Sequence, residues 1–156
     1  MKIIPVVTKA QLMCDRMNLA EIFSPTSVLD PENIVDSGWL EHGPFALFLM
    51  EALRPKVFVE LGTHNGFSYF CFCQSVKQFH LGTRCYAVDT WKGDEFAGYY
   101  GEEVFNSVQV MNQKYSEFSR LFRMTFDDAL NYFPDGSIDL LHIDGSHLYG
   151  EVKHDF

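Results

Sequence analysis

Basic residues are scarce in this chain: 12 lysines and arginines stand against 21 aspartates and glutamates, a formal net charge of -9 over 156 residues. A nucleic-acid backbone or an anionic membrane surface needs a basic face, so neither is expected as a main partner. Long apolar runs are also missing. None reaches the roughly 20 residues of a membrane-spanning helix, and Met1-Lys-Ile-Ile-Pro-Val-Val, followed early by Lys9, is too short an apolar run for a signal peptide. A cytoplasmic protein is the expectation. The four cysteines show no Cys-x-x-Cys or Cys/His spacing, and Cys71 and Cys73 lie two apart on a predicted helix, hence on different faces. They read as buried thiols rather than as a disulfide or zinc site. Repeats and low-complexity segments are absent, and so is the dinucleotide fingerprint Gly-x-Gly-x-x-Gly.

What the chain does have is apolar content, 47% of its residues, enough to bury a sizeable single core. Residues 1–35 read as a lead-in punctuated by Pro5, Pro25 and Pro31, with a short helix around Gln11 to Ile22. From Asp36 onward the pattern is regular. A helix over Phe45 to Leu53, stopped by Arg54-Pro55, feeds a strand at Val57. Further strands are expected at Cys85 to Val88, Leu121 to Met124 and Ile138 to Ile143. Helices are expected after Gly66, around Glu102 to Tyr115 and over Phe126 to Tyr132. Strands alternating with helices imply a parallel α/β sheet with right-handed crossovers.

The richest stretch is Val57-Phe-Val-Glu-Leu-Gly-Thr-His-Asn-Gly-Phe-Ser68, a buried-strand pattern ending in Glu60 and opening into a glycine turn before a helix. Gly62 and Gly66 permit a sharp turn and a close approach to a ligand, and the helix start beyond them aims free N–H groups at whatever lies over the loop. The aromatic helix that follows, with Phe67, Tyr69, Phe70 and Phe72, reads as core packing. In open parallel sheets ligands bind beyond the carboxyl ends of the strands, and Glu60, Asp89 and Asp144 stand at three such ends. Asp89 follows the glycine loop at the interval where nucleoside sites place an acid for ribose hydroxyls.

Glu60-Leu-Gly-Thr-His-Asn-Gly66, Cys85-Tyr-Ala-Val-Asp-Thr-Trp-Lys-Gly-Asp94 and Ile138-Asp-Leu-Leu-His-Ile-Asp-Gly-Ser-His-Leu-Tyr-Gly-Glu-Val-Lys-His-Asp155 occur in the right order to resemble class I S-adenosylmethionine-dependent methyltransferases. The resemblance covers roughly Asp36 to Phe156. It is closest to the group found beside glycosyltransferases and to macrolide-sugar O-methyltransferases. It implies a Rossmann-like sheet and methyl transfer from S-adenosylmethionine to a sugar hydroxyl of a glycan or glycosylated metabolite. Glu60, Gly62, Thr63, Gly66 and Ser68 would form the cofactor cradle, and Asp89 would hold the ribose. Trp91 would stand at the site entrance, and Thr125 and Phe126 would border the adenine. In the Asp144-Gly-Ser-His147 loop, Asp144 would bind a divalent metal, Mg²⁺, and His147 would act as base. A hydroxyl is a poor nucleophile near neutral pH, so a cation and an imidazole suit its activation. His142 and His154, on strand and helix segments, read as structural. His64 is a candidate through its loop alone, and His42 and His80 carry no pattern.

The family's sheet has further strands after the fourth, so residues 36–156 read as an incomplete domain with an open edge, inviting a homo-oligomer or a glycosyltransferase partner. Two other classes stay open. One is a non-catalytic cofactor-binding remnant or partner subunit, and the other is a nicotinamide-dependent oxidoreductase, against which the missing fingerprint speaks.

Overall fold

The computed structural model describes residues 29–94 and 98–155. The lead-in helix expected around Gln11 to Ile22 and the Cys14 thiol lie outside the described residues. Four strands, β1 (Val57–Leu61), β2 (Arg84–Asp89), β5 (Ser119–Arg123) and β6 (Leu140–Ile143), form one sheet in the order β5-β2-β1-β6. All three pairings are parallel. The α/β expectation therefore holds, and the architecture is Rossmann-like. A short antiparallel hairpin that the sequence pattern does not announce, β3 (Gly93–Asp94) with β4 (Gly98–Tyr99), stands in the loop after β2.

Helix α1 (Gly43–Leu53) carries Pro44 in its first turn, where a missing N–H costs nothing. It ends at Arg54 in the left-handed conformation, just before Pro55, which cannot continue it. Its buried side, Ala46, Leu47 and Met50, packs on α2 (Phe67–Gln78). Ten of the twelve residues of α2 are buried, so the aromatic helix is the centre of the core. Phe58 and Cys85 from the sheet meet Phe70 and Phe72 from this helix. The polar atoms carried inward find partners: the Ser75 hydroxyl donates to the Leu47 carbonyl, and the Tyr69 hydroxyl lies 2.6 Å from Ser119 Oγ. Cys71, Cys73 and Cys85 are free and buried, as expected, and burial pushes the Cys71 thiol up to about 12.

Helix α3 (Glu102–Asn112) follows the hairpin, its last expected turn tightening to a 3-10 helix over Gln113–Tyr115. The other sheet face is thinner: Val57, Val59 and Val88 pack with Ala129 of the short α4 (Phe126–Ala129). After β6 comes α5 (Tyr149–Asp155), which has no buried residue. At the opposite end of the sheet Asp139 Oδ2 accepts both the Lys56 and Val57 N–H groups at 2.9 Å, locking the start of β1 to β6. This aligns the carboxyl ends of β1, β2 and β6, where the loops of interest emerge. None of the described helices is long and apolar enough to cross a membrane.

Candidate functional site

The three strand ends open onto one cavity of about 840 Å³. Its floor is the Gly62–Gly66 turn, closed by the Gly66 N–H donating to the Thr63 carbonyl at 2.7 Å. Both glycines have positive φ, 85° and 83°. Gly62 is needed for a reason the sequence does not display. A Cβ there would lie 2.1 Å from the Asp144 carbonyl oxygen, so its bare backbone admits the β6 loop rather than a ligand. Gly66 caps α2, and a Cβ on it would meet the Phe70 ring at 2.6 Å.

Asp89 organises this floor. Its Oδ2 accepts the N–H groups of Thr63 and His64, each at 2.8 Å, and its Oδ1 accepts that of Trp91 at 2.7 Å. The acid at the end of β2 thus fastens the loop after β1 while its residue still lines the cavity. Oδ1 accepts a single protein N–H and keeps a lone pair for a further donor. Trp91 departs from the expected entrance position. It is 1% exposed, lies behind the wall against Phe105, and its indole N–H donates to the His64 carbonyl at 2.9 Å. The reason is that Asp89 draws the Trp91 N–H inward, turning the ring under the loop.

Glu60 also sits behind the cavity wall, fully buried, with Oε2 2.8 Å from His142 Nδ1 on the neighbouring strand, its register partner. Burial pushes the Glu60 carboxyl up, more strongly than His142 and the Ser68 hydroxyl pull it down. At His142 burial opposes the protonated ring, but the hydrogen bond and charge of Glu60, with the charge of Asp144, outweigh it and raise the imidazole above its ordinary value. Trp39 packs edge-on against the same ring at 4.6 Å. Both groups are raised, so the folded chain holds their protons more tightly than the unfolded chain does. The stability His142 contributes is present below its ordinary value of 6.5 and is lost as pH rises through its raised value, while the contribution of Glu60 begins to fall above its own ordinary value of 4.5. A melting series from about pH 6 to about pH 8.5 is expected to fall with pH, and His142→Gln to flatten the fall. An unchanged slope in that variant would remove His142 from the effect.

Across the cavity the β6 loop brings Asp144 and His147 together: Asp144 Oδ1 is 3.9 Å from His147 Nε2, and both residues line the cavity. His147 is well exposed, at 59% of its side chain. Thr125 caps α4, its hydroxyl oxygen accepting the Asp128 N–H, and with Phe126 forms a third wall, the Phe126 ring lying over Gly145. Thr63 and Ser68 complete the set of expected residues on the cavity surface. Among the described residues no group of three or more His, Cys, Asp or Glu side chains is placed to hold a metal ion, so Asp144 finds no co-ligands there.

Several wall residues escaped the sequence reading. Asp36 to Trp39 reach the cavity because the Asn65 side-chain amide donates to the Asp36 carbonyl at 3.1 Å. Tyr100 stacks on His64, and His154, expected as a structural histidine, lines the cavity and pairs with Asp127 at 2.9 Å. Asp36 to Trp39 and Tyr100 belong to no spacing motif; only their long-range contacts place them. Charge is the common property of the wall. Six carboxylates line it, from Asp36, Asp89, Asp127, Asp144, Glu151 and Asp155, and among the described residues no lysine or arginine does. Such a wall suits a cationic or neutral ligand and disfavours a pyrophosphate. Thr63, which lines the cavity, adds a buried hydroxyl without a hydrogen-bond partner.

Comparison with known proteins fits this geometry. A protein family described as a methyltransferase domain matches residues 59–156. An uncharacterized protein of Sinorhizobium fredii is 60% identical over 120 residues, covering 77% of this chain and 13% of that protein. The SAH-bound Podospora anserina methyltransferase PaMTH1 superposes with a TM-score of 0.53 at 15% identity, over 92% of this chain and 61% of that one. The O-methyltransferase TomG from Streptomyces achromogenes, involved in tomaymycin synthesis and in complex with SAM, gives 0.52 at 11% identity, over 84% and 61%. At such identities the structural likeness is one of fold. This chain therefore spans about an eighth of its curated relative and about three-fifths of these solved chains.

Proposed function

This chain belongs to the methyltransferase-domain family matched over residues 59–156, and from that premise we propose that its cavity binds S-adenosylmethionine and serves methyl transfer to a hydroxyl of a small acceptor, a sugar of a glycan or glycosylated metabolite. One observation carries the reading: Asp89 clamps the loop after β1 from below, while the Asp144–His147 loop faces the same cavity from β6. The family supports the methyl chemistry, and the acidic wall suits a cofactor whose sulfonium and ammonium outnumber its single carboxylate.

The residues fit such a ligand. Asp89 Oδ1 keeps an acceptor position for a ribose hydroxyl, the Thr63 hydroxyl offers an unpartnered buried group, and Thr125 and Phe126 give a mixed polar and aromatic edge for adenine. Glu60 acts from behind, holding the end of β1 to that of β6 through His142. When bound, S-adenosylmethionine supplies an electrophilic methyl group. His147 would be the base, taking the acceptor hydroxyl's proton as its oxygen bonds to the methyl carbon and the methyl–sulfur bond breaks, with the electron pair left on the thioether sulfur, and Asp144 would orient its ring or balance its positive charge. A divalent cation at Asp144 needs ligands from outside the described residues, and no step is assigned to it.

Isothermal calorimetry on the chain, with S-adenosylmethionine and NAD as separate titrants, tests the reading. Saturable binding of S-adenosylmethionine alone is expected. Binding of NAD instead would turn the site into that of an oxidoreductase, and cofactor binding without methyl transfer to any glycoside would leave a non-catalytic binding module.

A further inference from the structure

A stack of three side chains runs from the surface to the back of the cavity floor. Arg123, the last residue of β5, is the register partner of Asp89, the last of β2. Its two terminal guanidinium nitrogens donate to the two Glu102 oxygens in the first turn of α3, at 2.8 and 2.5 Å, and its Nε donates to the Thr90 carbonyl at 3.3 Å. Its Cζ lies over the Phe105 ring, 4.6 Å from the centroid. Phe105 packs in turn on the buried Trp91, ring centroids 4.9 Å apart. Trp91 then grips the floor twice, its backbone N–H donating to Asp89 Oδ1 at 2.7 Å and its indole N–H to the His64 carbonyl at 2.9 Å. Arg123, Glu102, Phe105 and Trp91 all stand outside the lining of the cavity, whereas Asp89 and Thr90 belong to it. The ion pair is too exposed to hold much of the fold, Glu102 keeping 68% of its side chain in solvent. What it does hold is a distance. A planar fork that bonds a carboxylate with both arms, reaches a backbone carbonyl and lies over a ring uses the shape of the guanidinium as well as its charge.

We propose that Arg123 is a positioning residue for this site: through Phe105 it seats Trp91, and through the Trp91 N–H it sets the direction in which Asp89 Oδ1 offers its remaining acceptor position to a ligand hydroxyl. Oδ1 has a single protein donor, so the place of that donor decides where a second can approach. Glu102 takes up the charge of Arg123, so the cavity keeps its acidic wall and the arginine acts by geometry. The inference rests on the reading of the cavity as an S-adenosylmethionine site.

The test titrates S-adenosylmethionine calorimetrically into the chain and its Arg123→Ala, Arg123→Lys, Phe105→Leu and Arg123→Ala/Phe105→Leu variants, and melts each without ligand. Arg123→Ala is expected to weaken binding about threefold to tenfold while its melting temperature falls by no more than about 2 °C, because the lost pair is largely exposed. Arg123→Lys keeps the charge but not the fork, and is expected to bind about as weakly. Phe105→Leu removes the ring between Arg123 and Trp91, so Arg123→Ala in that background is expected to cost less than about a further twofold. The chain has two tryptophans. With Trp39 replaced by phenylalanine only Trp91 emits, and Arg123→Ala is expected to move its emission maximum to longer wavelength in the ligand-free protein. Unchanged affinity in Arg123→Ala, full affinity in Arg123→Lys, multiplying losses in the double variant or an unmoved Trp91 emission each overturn the proposal. Failure of the unsubstituted chain to bind S-adenosylmethionine strikes earlier, at the cofactor reading, and removes the inference with it.

Discussion

Replacing His147 by alanine is expected to lower methyl transfer by about 10²–10⁴-fold, the usual contribution of a positioned acid or base, while S-adenosylmethionine affinity stays nearly unchanged. The reason is placement. His147 stands on the cavity rim in a loop of its own, 3.9 Å from Asp144, and is no member of the Asp89-centred floor that would hold the cofactor. Its loss should remove a proton acceptor without disturbing that floor. The measurement is transfer of label from S-adenosylmethionine to a panel of methyl glycosides, with and without chelator. Full turnover in the variant would take His147 out of the mechanism, and loss of turnover on chelation would restore a metal ion at Asp144. Affinity falling in parallel with rate would move His147 into the binding surface.

Asp89→Ala should act on binding rather than on rate. The substitution removes the acceptor of three backbone N–H groups and the proposed partner of the ribose at once. A hydrogen bond to a charged group is worth about 1.5–3 kcal/mol, so affinity for S-adenosylmethionine is expected to drop by at least about tenfold and by up to about 150-fold. The loop amides of Thr63 and His64 lose their anchor in the same variant, so the ligand-free protein should also melt several degrees lower. Calorimetry beside a melting curve separates the two roles. Lowered melting with unchanged affinity would make Asp89 a brace for the loop and nothing more.

The double duty of Asp89 shows how far local pattern reached. An acid at the end of a short apolar strand, one crossover after a glycine turn, was legible as a site residue because periodicity and glycine placement are local signals. Its partners were not, since Thr63 and His64 lie 26 and 25 residues away in sequence. The same limit applies to Gly62, which reads from sequence as room for a ligand and proves to be room for the Asp144 backbone. The β3–β4 hairpin, with two residues per strand and a glycine in each, has too short a pattern to register.

By itself the sequence determined the alternation of strands and helices, the burial of the aromatic helix and the three acids at strand ends, because each follows from the spacing of apolar, glycine and proline residues within one element. The tertiary structure alone decided what those acids do. Parallel pairing in a single register sets Glu60 beside His142, and the meeting of the β1, β2 and β6 loops sets Asp89 under His64 and Asp144 against Gly62. It also turned Trp91 inward and His64 onto the cavity wall. These are contacts between residues distant in the chain, fixed by packing and by the need of every buried N–H for an acceptor, and no local spacing encodes them.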